Sequence, residues 1–373
     1  MSLLLPYLFL LPVPSAPVPR AILITMLNRL RHCTLFFLAA SLLLSALPSA
    51  AAAPAYKYFR IGSQQDCATQ PESGFALMGG GTDLDEAFRF LCNRAHGGDF
   101  LILRATGDDD YNPYVQPLCP LNSVATLILP NRDSANDPFV ADAIAHAEAI
   151  FIAGGDQANY TRNWTNTPVQ HELNAAITRG VPIGGTSAGL AVLGEWAYSA
   201  EGDEPQKEGQ PEPPNLDAKT ALADPLGPRI TLAHNFLSIP ILKGIVTDTH
   251  FARRNRMGRL LVFLAQIHAH DPKQTIHGLG IEEKAAILLS PDGHGQVIGK
   301  GAAYLVSITD APTHLDAGKP LPNATFSVQK IPTGKPVDLA HFEDNHNQDV
   351  PPYYTLTVQS GQLTRTPPGA SIY

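Results

Sequence analysis

The stretch Val181–Pro182–Ile183–Gly184–Gly185–Thr186–Ser187–Ala188–Gly189–Leu190 decides the reading of this chain. Val181 to Gly184 reads as a short buried strand, and Leu190 to Tyr198 as the helix that follows it. Between them, Gly185–Thr186–Ser187–Ala188–Gly189 fits Gly-x-Ser-x-Gly. A tight strand-to-helix turn needs small neighbours and pushes the serine hydroxyl into the open. The backbone N–H of Ala188, at the helix start, is then placed to face a developing oxyanion. The plainer alternative is a glycine-rich helix entry with an incidental serine, because the pentapeptide alone is a weak pattern.

Outward from this turn, strands and helices alternate. Phe75 to Met78, Phe100 to Arg104, Thr126 to Leu129 and Ala149 to Ala153 read as strands. Leu84 to Ala95, Asp137 to Ala147 and His171 to Arg179 read as helices. That alternation predicts an α/β fold with a parallel sheet covered on both faces, and ligand sites where strands end and loops begin. Further on, Arg229 to Leu232 reads as a strand and Leu260 to Ala269 as a helix. Ala285 to Leu289 and Gly295 to Lys300 read as paired strands around Pro291–Asp292–Gly293. Glu201 to Asn215, rich in Glu, Pro and Gly, reads as a solvated loop. No internal repeat is evident.

The totals bound the function. With 373 residues, 44% of them hydrophobic, the chain can bury a large core. A formal net charge of −8 argues against a general nucleic-acid binder. Met26 to Ala53 has the build of a secretory signal: basic residues (Arg29, Arg31), an apolar run from Leu35 to Leu47, then small residues from Ser49 to Ala53. The expected organisation is a targeting segment over 1–53, a catalytic domain over 54–308, and an extension over 309–373. The residues before Met26 leave two starts open, Met1 and Met26. The localisation read from this is secreted or periplasmic, with no stable membrane association after cleavage. Cys67, Cys92 and Cys119 remain in the mature chain, enough for one disulfide and one free thiol, and their spacing leaves the pairing open.

Three further segments carry chemistry. Gly154–Gly155–Asp156–Gln157 ends a strand, where a glycine N–H could complete an oxyanion site and Gln157 could bond a substrate. Asp248–Thr249–His250–Phe251, followed by Arg253, Arg254, Arg256 and Arg259, offers a base for the serine beside cations that bind carboxylates. Gly280–Ile281–Glu282–Glu283 offers a carboxylate to orient that histidine. Taken singly, each has a bland alternative: an ordinary turn, a solvated basic helix face, two exposed glutamates. His268, His270 and Asp271 are read as helix surface and not as a metal site.

In their order along the chain, Phe75–Gly81 with Asp83 and Glu86, then Ile152–Gln157, Gly184–Gly189, Asp248–Leu261 and Gly278–Ala286 resemble the blocks of cyanophycinases, within the S51 serine peptidases. Gly-Thr-Ser-Ala-Gly and the block of His250, Phe251, Arg254, Arg256 and Arg259 carry most of the resemblance. It implies a parallel-sheet three-layer fold like that of class I glutamine amidotransferases. It implies Ser187 as nucleophile, His250 as base, and N–H groups of Ala188 and Gly155 at the oxyanion. Glu283 matches the family's acidic block and Glu201 is its rival. Gln157, Asp248, Arg254, Arg256 and Arg259 would line the substrate pocket. The implied reaction is hydrolysis of cyanophycin, an arginylated poly-aspartate, to β-aspartyl-arginine dipeptides, with no cofactor. The partner would be a peptide or polymer substrate; a homodimer is one option, and the sequence leaves the oligomeric state open. An aspartyl dipeptidase of the same family is the first alternative, and a non-catalytic secreted binding protein the second. Thr249, where cyanophycinases often carry glutamine, and the Glu201–Asn215 stretch depart from the pattern.

Overall fold

A computed structural model describes residues 54–203, 216–342 and 353–373. The expected targeting segment lies outside the described residues, as does most of the Glu201–Asn215 stretch. Pro54 to Tyr373 forms one compact unit.

The described residues begin with β1 (Lys57–Gly62) and β2 (Phe75–Met78), followed by helix α1 (Asp85–Arg94). Next come β3 (Asp99–Arg104), β4 (Ser123–Ile128), α2 (Pro138–Ala145) and β5 (Ala149–Ile152). Helices α3 (Gln157–Trp164) and α4 (Pro168–Arg179) lead to β6 (Ile183–Thr186) and the short α5 (Ala188–Ala191). Then follow β7 (Trp196–Tyr198), β8 (Leu232–His234), β9 (Ile245–Asp248), α6 (Met257–His270) and β10 (His277–Ile281). Seven strands complete the chain: β11 (Ala285–Leu289), β12 (His294–Gly299), β13 (Ala302–Asp310), β14 (Ala324–Pro332), β15 (Pro336–Asp338), β16 (Tyr354–Gln359) and β17 (Gln362–Thr366).

Local chemistry accounts for the helix boundaries. Pro138 and Pro168 open α2 and α4 at positions where a missing N–H costs nothing. Asp137 caps α2 by accepting from Phe139 N. Gly180 ends α4 in the left-handed region at φ 83°.

The first sheet has the order β1-β4-β3-β5-β6-β2-β11-β12-β15. Its centre, from β4 to β2, is parallel, and antiparallel strands flank it on both sides. Alternation along each strand sorts the side chains into two cores. Ala76, Met78, Phe100, Ile102 and Phe151 pack with Phe88 and Leu91 of α1. Phe75, Leu77, Leu101, Leu103 and Ile150 pack on the other face with Val140, Trp164 and Leu173. The fold is therefore α/β with helix layers on either side of a central sheet, as the alternation predicts.

A second sheet, in the order β17-β16-β14-β13-β10-β9-β7-β8, was not legible in the sequence. Leu279, Ala303 and Leu305 face the first sheet's core, while Tyr304, Val306 and Phe326 face α6. Residues beyond 309 supply β14, β16 and β17 to this sheet and β15 to the first. The helix read over Leu190 to Tyr198 is instead α5 followed by a turn and β7. Trp196 and Ala197 pair with Val246 and Thr247 of β9, and those ladder bonds outweigh the local helical pattern. Cys92 is disulfide-bonded to Cys119, and Cys67 is the free cysteine among the described residues.

Candidate active site

Ser187 sits where β6 ends and α5 begins, with φ 51° and ψ −116°. A non-glycine residue holds that conformation only when its surroundings over-determine it. Here they do. A Cβ on Gly185 would stand 2.6 Å from the Gly189 carbonyl carbon, and one on Gly189 would collide with Ile152 O. The two motif glycines thus let the elbow fold on itself and lie against β5. Ser187 N donates to Met78 O at 3.2 Å, tying the turn to the end of β2.

His250 follows β9 and also has a positive φ, 48°. Its N–H donates to Gly79 O at 2.7 Å, and Phe251 N donates to Ile281 O at 3.2 Å. Gly280 leaves room for the Phe251 ring, since a Cβ there would come within 2.6 Å of it. Glu283 lies in the turn between β10 and β11, next to Lys284, whose N–H donates to Gly80 O at 2.8 Å.

These placements line up three side chains. Ser187 Oγ is 2.7 Å from His250 Nε2, and His250 Nδ1 is 2.6 Å from Glu283 Oε1. The adjacent Glu282 points elsewhere, accepting from Tyr304 Oη and Ala302 N. Glu201 is exposed beyond β7. Burial drives the His250 pKa down to about 4, helped by the cationic Arg254 and Arg256 and opposed by Glu283. The imidazole is therefore neutral at neutral pH, with a lone pair for a serine proton. Burial raises the Glu283 pKa, but the His250 hydrogen bond and nearby Arg254 and Arg253 outweigh it, and the net shift is downward.

The remaining residues separate into two groups. Ala188 opens α5, and Gly155 is exposed at the end of β5 with φ 148°. A Cβ on Gly154 would stand 3.4 Å from Ser187 Cβ, so this turn borders the nucleophile. Gln157, half-buried, begins α3, which Asp156 caps by accepting from Ala158 N. Arg254 is half-buried, with its N–H bonded to His250 O at 2.9 Å.

Asp248, Arg256 and Arg259, expected at the substrate pocket, are buried and paired with one another. Arg259 is 2% exposed and grips both Asp248 oxygens, Nε to Oδ2 at 2.8 Å and Nη2 to Oδ1 at 2.5 Å. Arg259 Nη1 donates to Leu216 O at 3.2 Å. Arg256 is 5% exposed and donates from Nη1 to Thr249 O and Oγ1. Helix α6 begins at Met257, not near Phe251, so Arg256 is its N-cap residue and both guanidinium groups turn inward. A buried carboxylate must be paired, and Asp248 claims the arginines for that reason.

The sequence reading missed the part played by Gly79, Gly80 and Gly81. Gly80 backs the imidazole of His250, and a Cβ on Gly81 would come 3.2 Å from Glu283 Cβ. Three glycines directly after a buried strand are the available signal, because such a run marks close backbone approach. Beside them, burial raises the Asp83 pKa, and Asp83 Oδ2 accepts from Tyr111 Oη at 2.7 Å.

The model of peptidase family S51 matches residues 122–295. A cyanophycinase of Synechococcus elongatus is 29% identical over 237 residues, covering 62% of this chain and 65% of that protein. A cyanophycinase of Trichormus variabilis is 29% identical over 206 residues, 53% of this chain and 59% of that one. The crystal structure of a peptidase from an acI-B1 actinobacterium aligns with TM-score 0.47 and 17% identity, over 72% of this chain and 98% of that one. The S51 match spans somewhat under half of the chain. The chain's relatives in the curated set include cyanophycinases, of whose length it spans somewhat under two thirds.

Proposed function

We propose that the chain is a serine peptidase that hydrolyses aspartyl-rich peptide substrate, with cyanophycin as the polymer. The observation that carries this reading is the continuous relay from Ser187 Oγ through His250 to Glu283, at 2.7 and 2.6 Å. In the proposed reaction, Ser187 Oγ attacks the substrate carbonyl carbon and His250 Nε2 takes its proton. Glu283 holds the imidazole by Nδ1 and balances the imidazolium that forms. N–H groups of Ala188 and Gly155 receive the oxyanion. His250 then gives its proton to the leaving amine, and water releases the acyl group by the same route in reverse.

Arg254 is the cation suited to a substrate carboxylate. It is half-buried and borders both His250 and Glu283, whose titrations it influences. Gln157, first residue of α3 after the Gly154–Gly155 turn, is the neutral hydrogen-bonding group proposed for substrate. Export is supported by the basic–apolar–small pattern before residue 54 and by the Cys92–Cys119 disulfide, a bond that persists in oxidising compartments.

The deciding experiment incubates the purified mature chain with insoluble cyanophycin and, in parallel, with small aspartyl dipeptides. Release of soluble β-aspartyl-arginine supports the polymer reading. Cleavage of the small peptides alone would move the assignment to an aspartyl dipeptidase, and cleavage of neither would remove the enzymatic reading.

A further inference from the structure

The segment after β17 returns to the loop that carries His250. Tyr373 Oη accepts from Met257 N at 2.9 Å and donates to Asn255 Oδ1 at 3.0 Å. Its ring meets Phe251 edge-on, centroids 5.9 Å apart at 84°, and meets Tyr304 in the same way at 5.9 Å and 87°. Phe251 is the residue after His250. Tyr304 donates to Glu282, the residue before Glu283. One side chain thus braces the immediate neighbours of both the base and its acidic partner.

The loop needs a brace. His250 and Asn255 both have φ 48°, so two non-glycine residues within six positions occupy the left-handed region. Such conformations persist only where the surroundings hold them. Between β9 and α6 the backbone makes turns, not a regular helix. The tail that supplies the brace is itself anchored: Tyr354 Oη donates to Ile372 O at 2.6 Å, Tyr373 N donates to Ser371 Oγ at 3.0 Å, and Arg365 bonds Ser371 O. Ile372 and Tyr373 pack against the core under α6.

We infer that Tyr373 is a positioning residue for the catalytic centre, clamping the His250–Met257 loop through Asn255, Met257 N–H and Phe251 so that His250 and Arg254 keep their places. This rests on the serine-peptidase reading above. The clamp closes a contact more than a hundred residues long in sequence, and it gives the C-terminal segment a part in the site. Without it, the loop would sample other conformers and admit water around an imidazole that is now buried.

The test compares the wild-type chain with Tyr373→Phe, which keeps the ring and removes both hydrogen bonds, and with Asn255→Gly, which removes one from the other side and accepts the positive φ. Three readouts are taken: amide hydrogen exchange by mass spectrometry, the rate at which a fluorophosphonate labels Ser187, and the pH dependence of that labelling. In both variants, exchange in peptides covering 250–257 should rise by about threefold or more while the sheets stay protected. Labelling should slow by about tenfold at an unchanged melting temperature. Its acid limb should move up from about 4 towards 6.5, the ordinary value for histidine, as water reaches the ring. Unchanged exchange at 250–257 would overturn the clamp. So would faster exchange spread evenly over the chain with the labelling rate and its pH limb unaltered, because that pattern belongs to general stability. A wild-type chain that does not label at Ser187 would strike the serine-peptidase reading instead, and the exchange readout then decides the clamp alone.

Discussion

Gly80 stands directly behind the His250 imidazole: a Cβ at this position would lie 2.5 Å from His250 Nε2 and 2.6 Å from its Cε1. Gly80 also has φ +99°, which L side chains rarely adopt. The same residue gives its carbonyl to Lys284 N, next to Glu283. Gly80→Ala should therefore push the ring away from Ser187 while the distant sheets stay intact. The expected result is a fall in kcat/KM of about a hundredfold, since small displacements of reacting groups are costly. The backbone cost should be on the order of 1 kcal/mol. Kinetics beside a thermal melt check it, and full activity in a stable variant would contradict the geometry.

Ser187→Ala should remove hydrolysis without unfolding the chain. The hydroxyl's partner is His250, and the elbow is shaped by Gly185 and Gly189, not by the serine side chain. Losing a nucleophile leaves only the residual rate supplied by binding and the oxyanion donors, a drop of about a thousandfold or more. Turnover above about a tenth of wild type would show that another residue attacks.

The two candidate acids can be separated directly. Glu283→Gln keeps a hydrogen-bonding side chain but removes the charge that balances the imidazolium, and should cost about a hundredfold or more in kcat. Glu201→Gln, at an exposed position, should change little. The reverse pattern would hand the role to Glu201.

Acid should act through His250. Burial holds its folded pKa near 4, against 6.5 for an ordinary histidine. Activity should persist well below neutral pH and fall as pH drops through about 4, where the base becomes protonated. Stability follows the same group. Between about 6.5 and 4 the unfolded chain binds a proton that the folded chain refuses. The contribution is present above 6.5 and is lost as pH falls through that window. A His250→Gln variant should lose less stability than wild type over it. Parallel denaturant melts at pH 7 and pH 4.5 measure the difference.

The arginines should divide by role. Arg259→Ala strands Asp248 in the core, and breaking a buried pair costs about 3–5 kcal/mol, seen as a large fall in melting temperature. Arg254→Ala should leave the melt nearly unchanged and weaken kcat/KM on aspartyl substrate by roughly tenfold to a hundredfold, the size of a lost charge-assisted contact. Arg254→Lys should recover only part, because an ammonium cannot make the bidentate contact. Kinetic insensitivity of Arg254 would take the substrate carboxylate elsewhere.

The sequence by itself determined the parallel core and the elbow. Apolar runs such as Phe100–Arg104 and Ala149–Ile152, separated by amphipathic stretches, report their own periodicity, and Gly185 and Gly189 report the tight turn between them. Those signals are local, so local reading suffices. It also supplied His250 and Glu283 as candidates, through a resemblance carried by short blocks. Tertiary structure decided the rest. Glu282 and Glu283 are consecutive and chemically alike, yet one meets Tyr304 and the other His250, because consecutive residues leave a β10–β11 turn in different directions. Arg254, Arg256 and Arg259 look equivalent in a row, but the buried Asp248 carboxylate draws two of them into the core. The second sheet and the contact from Tyr373 to Asn255 depend on segments far apart in the chain. No local pattern encodes them, because their stability comes from burial and hydrogen bonds that exist only once the sheets have packed.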